Sequence, residues 1–260
     1  MGAVQVCELV AGRTCGPMLS DPTLASVVLN VGSPEPLAQF YVKNFGMRLR
    51  RSVSEIQVGY GGQSAWITLR QAVSDTKYQH SLHDLYWKVG ITLPDLDLAY
   101  AQLRQRGLDI SEPRQFRDVG YMCHLSDPEG FQIELLQHTF KGEKKTSVGD
   151  PKMPLGGGAI IGQITLRTDC ITPQLSHFVD ELGMKFLSRQ PLEEYGFDLY
   201  FLAFTDEQPP EPKLSSVGNR PWLWQRPYTT LEFQHRLNAE SKVTNPIEME
   251  PGFAGLIVLE

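Results

Sequence analysis

The sequence predicts an α+β protein made of repeated βαβββ modules, and three observations carry that prediction. Residues 26–47, SVVLNVGSPEPLAQFYVKNFGM, align without a gap on residues 163–184, QITLRTDCITPQLSHFVDELGM, so that Pro36 meets Pro173, Gly46 meets Gly183 and Met47 meets Met184. A recurrence at one fixed offset marks a repeated supersecondary unit. Each copy opens with β-branched residues and Leu, passes a Pro-containing turn and enters an amphipathic helix that stops at Gly. After each helix come further strand-like stretches.

Module one begins at Ser26, and its helix is followed by RLRRSVSEIQVGY and SAWITLRQ. Module two is a looser copy, WKVGITLPDLDLAYAQLRQRG, with a strand from Val89 to Leu93, a PDLD turn able to cap a helix, and Gly107 at the helix end. GYMCHLS and FQIELLQH complete it. Module three begins at Gln163 and continues through FDLYFLAF, a Pro-rich loop from Asp206 to Pro227 that holds Trp222 and Trp224, and YTTLEFQH. A fourth module opens at GFAGLIVLE, of which the sequence holds roughly one strand.

The expected organisation is a tail over 1–21, a first domain over 22–140 formed by modules one and two, a linker over 141–157, and a second domain over 158–260 formed by module three and the first strand of module four. The linker reads KGEKKTSVGDPKMPLGG, charged and then rich in Pro and Gly, without periodicity. A sheet with one apolar face does not stay open in water. The truncated fourth module therefore predicts a homodimer, a domain-swapped dimer or a longer natural product.

Composition narrows the function classes. The 260 residues are 41% hydrophobic and 21% charged with a net charge of −6, and no Lys/Arg run offers phosphates a basic face, so nucleic acid is not an expected partner. No window of about eighteen apolar residues suits a membrane span. The N-terminal segment lacks the basic start and apolar stretch of a secretion signal. The four cysteines of the chain form no CxxC pair, which points to a reducing, cytoplasmic setting.

Repeated βαβββ modules together with DPEGFQIELL at residues 127–136 resemble the vicinal-oxygen-chelate superfamily of glyoxalases, bleomycin-resistance proteins and extradiol dioxygenases. The resemblance implies that two modules close into a cupped antiparallel sheet. It also implies a divalent metal (Zn, Ni, Mn or Fe) held by side chains of the first and last strand of each module, with positions left open for a small chelating substrate. Those positions are Ser26 and Thr68, Lys88 and Glu134, then Gln163 and Glu232, with Gly255 heading module four. Only Glu134, Gln163 and Glu232 suit a metal, and a protonated Lys88 would repel one.

Residues 158–236 further resemble the first half of glyoxalase I (lactoylglutathione lyase) through QITLR, ELGMKFLSRQ, DLYFLAFTDE and TTLEFQH. That likeness implies that Gln163 and Glu232 bind metal and that Arg167 grips a substrate carboxylate bidentately. Glu134 matches the family's ligand and base if modules two and three pair. The sequence departs from the pattern at Gly255, where the family has His, and at Arg236, where it has Asn.

Three functions follow as expectations. The first is a metal-dependent glyoxalase I-like lyase or isomerase acting on a small α-hydroxycarbonyl or glutathione hemithioacetal through a metal-stabilised enediolate, with Glu134 and Glu232 catalytic. The second is a non-catalytic, metal-free ligand-binding protein of the bleomycin-resistance type. The third is an extradiol-type dioxygenase, against which the lack of His at all six module positions counts. Plainer readings stand beside these: Glu232 as a solvent-facing carboxylate, Gln163 as a surface strand end, Glu134 paired with a cation such as Lys88, and His124, His138 and His235 as hydrogen-bonded strand residues. Trp222 and Trp224 either stack on a ligand or pack across the cup mouth.

Overall fold

The computed structural model describes residues 22–139, 148–237, 241–244 and 247–259. The tail expected over 1–21, with Cys7 and Cys15, and the start of the linker lie outside the described residues.

Module one runs through β1 (Thr23–Val31), α1 (Pro34–Phe45), β2 (Arg48–Arg51), β3 (Glu55–Gly59) and β4 (Trp66–Gln71). Module two runs through β5 (Tyr86–Leu93), α2 (Leu96–Gln105), β6 (Arg114–Phe116), β7 (Gly120–Ser126) and β8 (Gln132–Gln137). Module three holds β9 (Ile160–Thr168), α3 (Ile171–Leu175) with a π-helical continuation over Ser176–Glu181, β10 (Lys185–Leu192), β11 (Phe197–Ala203), α4 (Asn219–Leu223) and β12 (Thr230–Arg236). β13 (Gly252–Leu259) begins module four.

Within each module the first strand lies parallel to the last, β1 to β4, β5 to β8 and β9 to β12. The helix between them makes the crossover that a parallel pair requires. Local chemistry sets the helix ends. Asp95 caps α2 by accepting from the Leu98 amide at 3.1 Å, and Gly46 closes α1 in the left-handed region at φ 68°.

The modules do not pair as the expected grouping of one with two. β5 of module two runs antiparallel to β9 of module three, joining both modules into one eight-stranded sheet of order β10-β11-β12-β9-β5-β8-β7-β6. β1 of module one pairs with β13 instead, in a five-stranded sheet of order β13-β1-β4-β3-β2. The β5–β9 seam is sterically matched. Gly90 stands opposite Gln163, and a Cβ on it would come within 2.1 Å of the Gln163 side chain. Gly162 likewise makes room for Thr92. The described part of the linker packs on α2 rather than crossing solvent, with Leu155 buried and the Gln102 amide donating to the Pro151 and Met153 carbonyls.

The helices cover the outer faces, burying Leu37, Tyr41 and Phe45 of α1, Leu96 and Leu103 of α2, and Phe178. Full burial of each such side chain contributes roughly 1.5–3 kcal/mol. A second apolar cluster lies on the eight-stranded sheet, where Leu136, Leu199 and Phe201 meet Leu223 and Trp224 from the long loop. Among the described residues no helix is long and apolar enough to cross a membrane.

Candidate functional site

Five neighbouring strands at the centre of the eight-stranded sheet, β12, β9, β5, β8 and β7, bring one polar cluster together. β5 supplies Lys88, β8 Glu134, β9 Gln163 and Thr165, β12 Glu232 and β7 His124. Register dictates the meeting: Lys88 lies opposite Thr165, Thr165 opposite Glu232, and His124 opposite Glu134. Lys88, Glu134, Gln163 and Glu232 are each at most 3% exposed. A charge so buried costs several kcal/mol unless it is paired.

The pairing is explicit. Lys88 Nζ lies 2.7 Å from Glu134 Oε1 and 3.7 Å from Glu232 Oε2, and 4.5 Å from the centre of the Trp87 ring. Gln163 Nε2 donates to Glu134 Oε1 at 2.7 Å, and His124 Nε2 meets Glu134 Oε2 at 2.9 Å. The Thr165 hydroxyl donates to Glu232. Gln163 Oε1 is buried and has no hydrogen-bond partner among the described residues.

The two carboxyls respond in opposite directions. Burial alone would raise Glu134, but Lys88 and His124 outweigh it and hold the group down at about 2. Glu232 is raised, chiefly by burial and further by the negative charge of Glu134, with Lys88 and Thr165 opposing. Like charges around one cation divide in this way, one remaining a carboxylate and the other drawn toward the acid form.

A cavity of about 230 Å³ opens above this floor. Its walls are apolar and aromatic, with Trp87, Phe197, Phe201 and Trp224 among them, and Arg114 is an exposed member of its lining. Trp224 is fixed by its indole N–H donating to the Val119 carbonyl at 3.1 Å and by an edge contact with Phe201.

The sequence-derived residues divide accordingly. Glu134, Gln163 and Glu232 converge within one chain, so no domain swap is needed to unite them, and Trp224 joins them in the cavity. Trp222 is not part of the lining and stacks instead under Arg226, 4.4 Å from its guanidinium. Arg167 is also outside the lining. Its guanidinium donates to the Ser81, Asp84 and Tyr86 carbonyls and to Gln234 Oε1, and it touches His80. Burial lowers its pKa to about 10. Arg236 is likewise engaged, by Asp169 at 2.6 Å.

Two groups that sequence reasoning left out of the site were within its reach. The hairpin turning at Asp127–Gly130 sets position 124 opposite 134, and Thr165 falls on the Gln163 face two residues along the strand.

The donor set matches the divalent metal that the resemblance implies only in part. Glu134, Gln163 and Glu232 supply suitable oxygens, but the fourth position is filled by Lys88, whose ammonium has no lone pair. At about 4 Å and an effective dielectric of 20, a unit positive charge repels a divalent ion by about 8 kcal/mol. Among the described residues no three His, Cys, Asp or Glu side chains are grouped to hold a metal. The residues present do not fit a divalent ion.

Comparison with known proteins places the fold. Residues 23–135 match the family described as the Glyoxalase/Bleomycin resistance protein/Dioxygenase superfamily. A search of curated proteins found no match. Glyoxalase I from Zea mays is 17% identical with a TM-score of 0.64, over 91% of this chain and 74% of that one. A candidate dioxygenase from Bacillus subtilis subsp. subtilis str. 168 is 14% identical with a TM-score of 0.51, over 84% of this chain and 65% of that one. At such identities the likeness is one of fold. The described chain therefore has the fold of the Glyoxalase/Bleomycin resistance protein/Dioxygenase superfamily, and residues 23–135 carry the match to that family.

Proposed function

We propose that this chain binds a small oxygenated aromatic molecule in the cup of modules two and three without a metal. The observation that carries this reading is the ion-paired floor of Lys88, Glu134 and Glu232 beneath aromatic walls. The walls favour a ring, and the ammonium favours an oxygen acceptor on it. At about 230 Å³ the cavity lies below the ~300–1,000 Å³ of drug-sized sites. A single-ring ligand therefore suits it better than a glutathione conjugate, and Arg167 is committed to backbone carbonyls where a tripeptide carboxylate would need it.

A second reading is favoured by the opposed shifts of Glu134 and Glu232. In it Glu232 moves a proton between adjacent carbons of an α-hydroxyketone, while Lys88 takes the charge that develops on oxygen. The test of both is titration with 2-hydroxyacetophenone, read by tryptophan fluorescence and by product analysis, with and without chelator. Saturable quenching unchanged by chelator supports the binding reading, and turnover under the same conditions supports the second. No saturation, or quenching abolished by chelator, overturns the metal-free cup.

A homodimer remains part of the proposal on the edge position of β13 and β2 in the five-stranded sheet. So does a cytoplasmic setting, on the sparse cysteines. Light scattering on a size-exclusion peak and fractionation of cells address them.

A further inference from the structure

Two carboxylates, Glu134 on β8 and Glu232 on β12, flank a single ammonium, and the amide of Gln163 on β9 bonds the first of them. The arrangement has the composition of a cation site, carrying two carboxylates and an amide oxygen, and its buried cation is covalently attached to β5. Gln163 Oε1 adds an independent mark. It is an acceptor in a residue only 2% exposed, and it finds no donor among the described residues. A buried amide oxygen left unpaired is costly, so its retention calls for a role.

We propose that Lys88 is the resident cation of this cup: its ammonium occupies the cation position of a latent metal site, and its removal turns the surrounding oxygens into ligands for a divalent ion. The geometry supports both halves. With Lys88 in place, a metal drawn to Glu134 meets a positive charge bonded to the same carboxylate. With Lys88 replaced by His, a neutral imidazole joins two carboxylates and an amide oxygen, a mixed N/O set that suits Zn²⁺ or Ni²⁺. His124 and Thr165, which hold the two carboxylates from outside the donor set, are already in place to orient them. This inference rests on the metal-free reading of the native cup, and its test is separate from ligand binding.

The experiment is calorimetric titration of the full chain with Zn²⁺ alone and Ni²⁺ alone, followed by elemental analysis after dialysis, for the native protein, K88H, K88A and the double variant K88H/E232Q. The native chain is expected to show no saturable uptake. K88H is expected to take one ion per chain at least 100-fold more tightly, K88A to take it more weakly, and K88H/E232Q to lose 10-fold or more of the K88H affinity. Native uptake of one ion per chain within 10-fold of K88H overturns the proposal, as does a folded K88H that takes none. Should both Lys88 variants fail to fold, the native titration decides: absent uptake supports the assignment, and one tightly held ion overturns it. If K88H takes metal while native protein ignores aromatic ligands, the binding reading falls and the cation assignment stands.

Discussion

Replacing Lys88 by Met keeps the length and apolar stem of the side chain and removes its charge. Glu134, 2% exposed, then loses the partner bonded at 2.7 Å. Removing one member of a buried ion pair costs about 3–5 kcal/mol, because the remaining charge is left uncompensated. The titration of Glu134 points the same way: Lys88, with His124, holds the carboxyl at about 2, below its ordinary 4.5, against the burial that would raise it. The sign follows from linkage: a depressed acid contributes stability that is present above about 4.5 and lost as the pH falls toward about 2. K88M should therefore lower the melting temperature by about 10 °C at pH 7, and the gap should narrow on acidification. Adding E134Q, which removes the stranded charge while keeping an acceptor for Gln163, should restore at least half the loss. The measurement is thermal and urea unfolding of native, K88M, E134Q and K88M/E134Q at pH 7 and pH 4. A K88M cost under about 1 kcal/mol, or single costs that simply add in the double variant, would refute the account of a tightly coupled buried pair.

Further outcomes follow from the seam, from Arg167 and from Asp127. G90A places a methyl within 2.1 Å of the Gln163 side chain, so it should destabilise by roughly 1–3 kcal/mol and detach Gln163 from Glu134; an unchanged melting curve would speak against the β5–β9 match. R167M should destabilise by more than about 2 kcal/mol, since it strands the carbonyls of residues 81, 84 and 86, yet leave aromatic-ligand affinity within 2-fold; a selective loss of affinity in a stable R167M would make Arg167 a binding residue after all. Burial raises Asp127 to about 6 despite bonds from Tyr41 and the Phe131 and Glu129 amides. Its contribution is thus present below about 3.8 and lost as the pH rises through about 6. Urea midpoints should fall between pH 4.5 and 6.5 in the native chain, and that fall should shrink in D127N; an identical slope in the two proteins would exclude Asp127 as its source.

Much of the architecture is written in local signals. The Pro and Gly punctuation at Pro36 and Gly46, and again at Pro173 and Gly183, acts within a few residues, so the three modules are readable one at a time. Which module pairs with which is not local. The choice of β9 for β5 depends on glycines at 90 and 162 facing Gln163 and Thr92 across a chain separation of some seventy residues, and no periodicity reports that. The site shows the same division. Glu134, Gln163 and Glu232 stand out by position in their modules, and the ion pair of Lys88 with Glu134 is among the plainer readings of the sequence. The commitment of Arg167 to carbonyls of the segment before β5 could not be read, because those acceptors belong to backbone whose path only the folded chain defines.

The nested order of the pairings bears on how the chain assembles. Modules two and three are joined by a short excursion, whereas Thr23 finds Leu259 only across almost the whole length of the chain. Loop closure grows costlier with length, and contacts between distant segments form slowly. Once the inner pair has condensed, however, the span separating β1 from β13 is effectively shortened, because the intervening residues are already gathered into one body. The eight-stranded sheet should consequently serve as the template on which the five-stranded sheet closes. Pulsed hydrogen exchange during refolding would show amides of β5, β8 and β9 protected before those of β1 and β13, and simultaneous protection would mean that the two sheets form as a single cooperative unit.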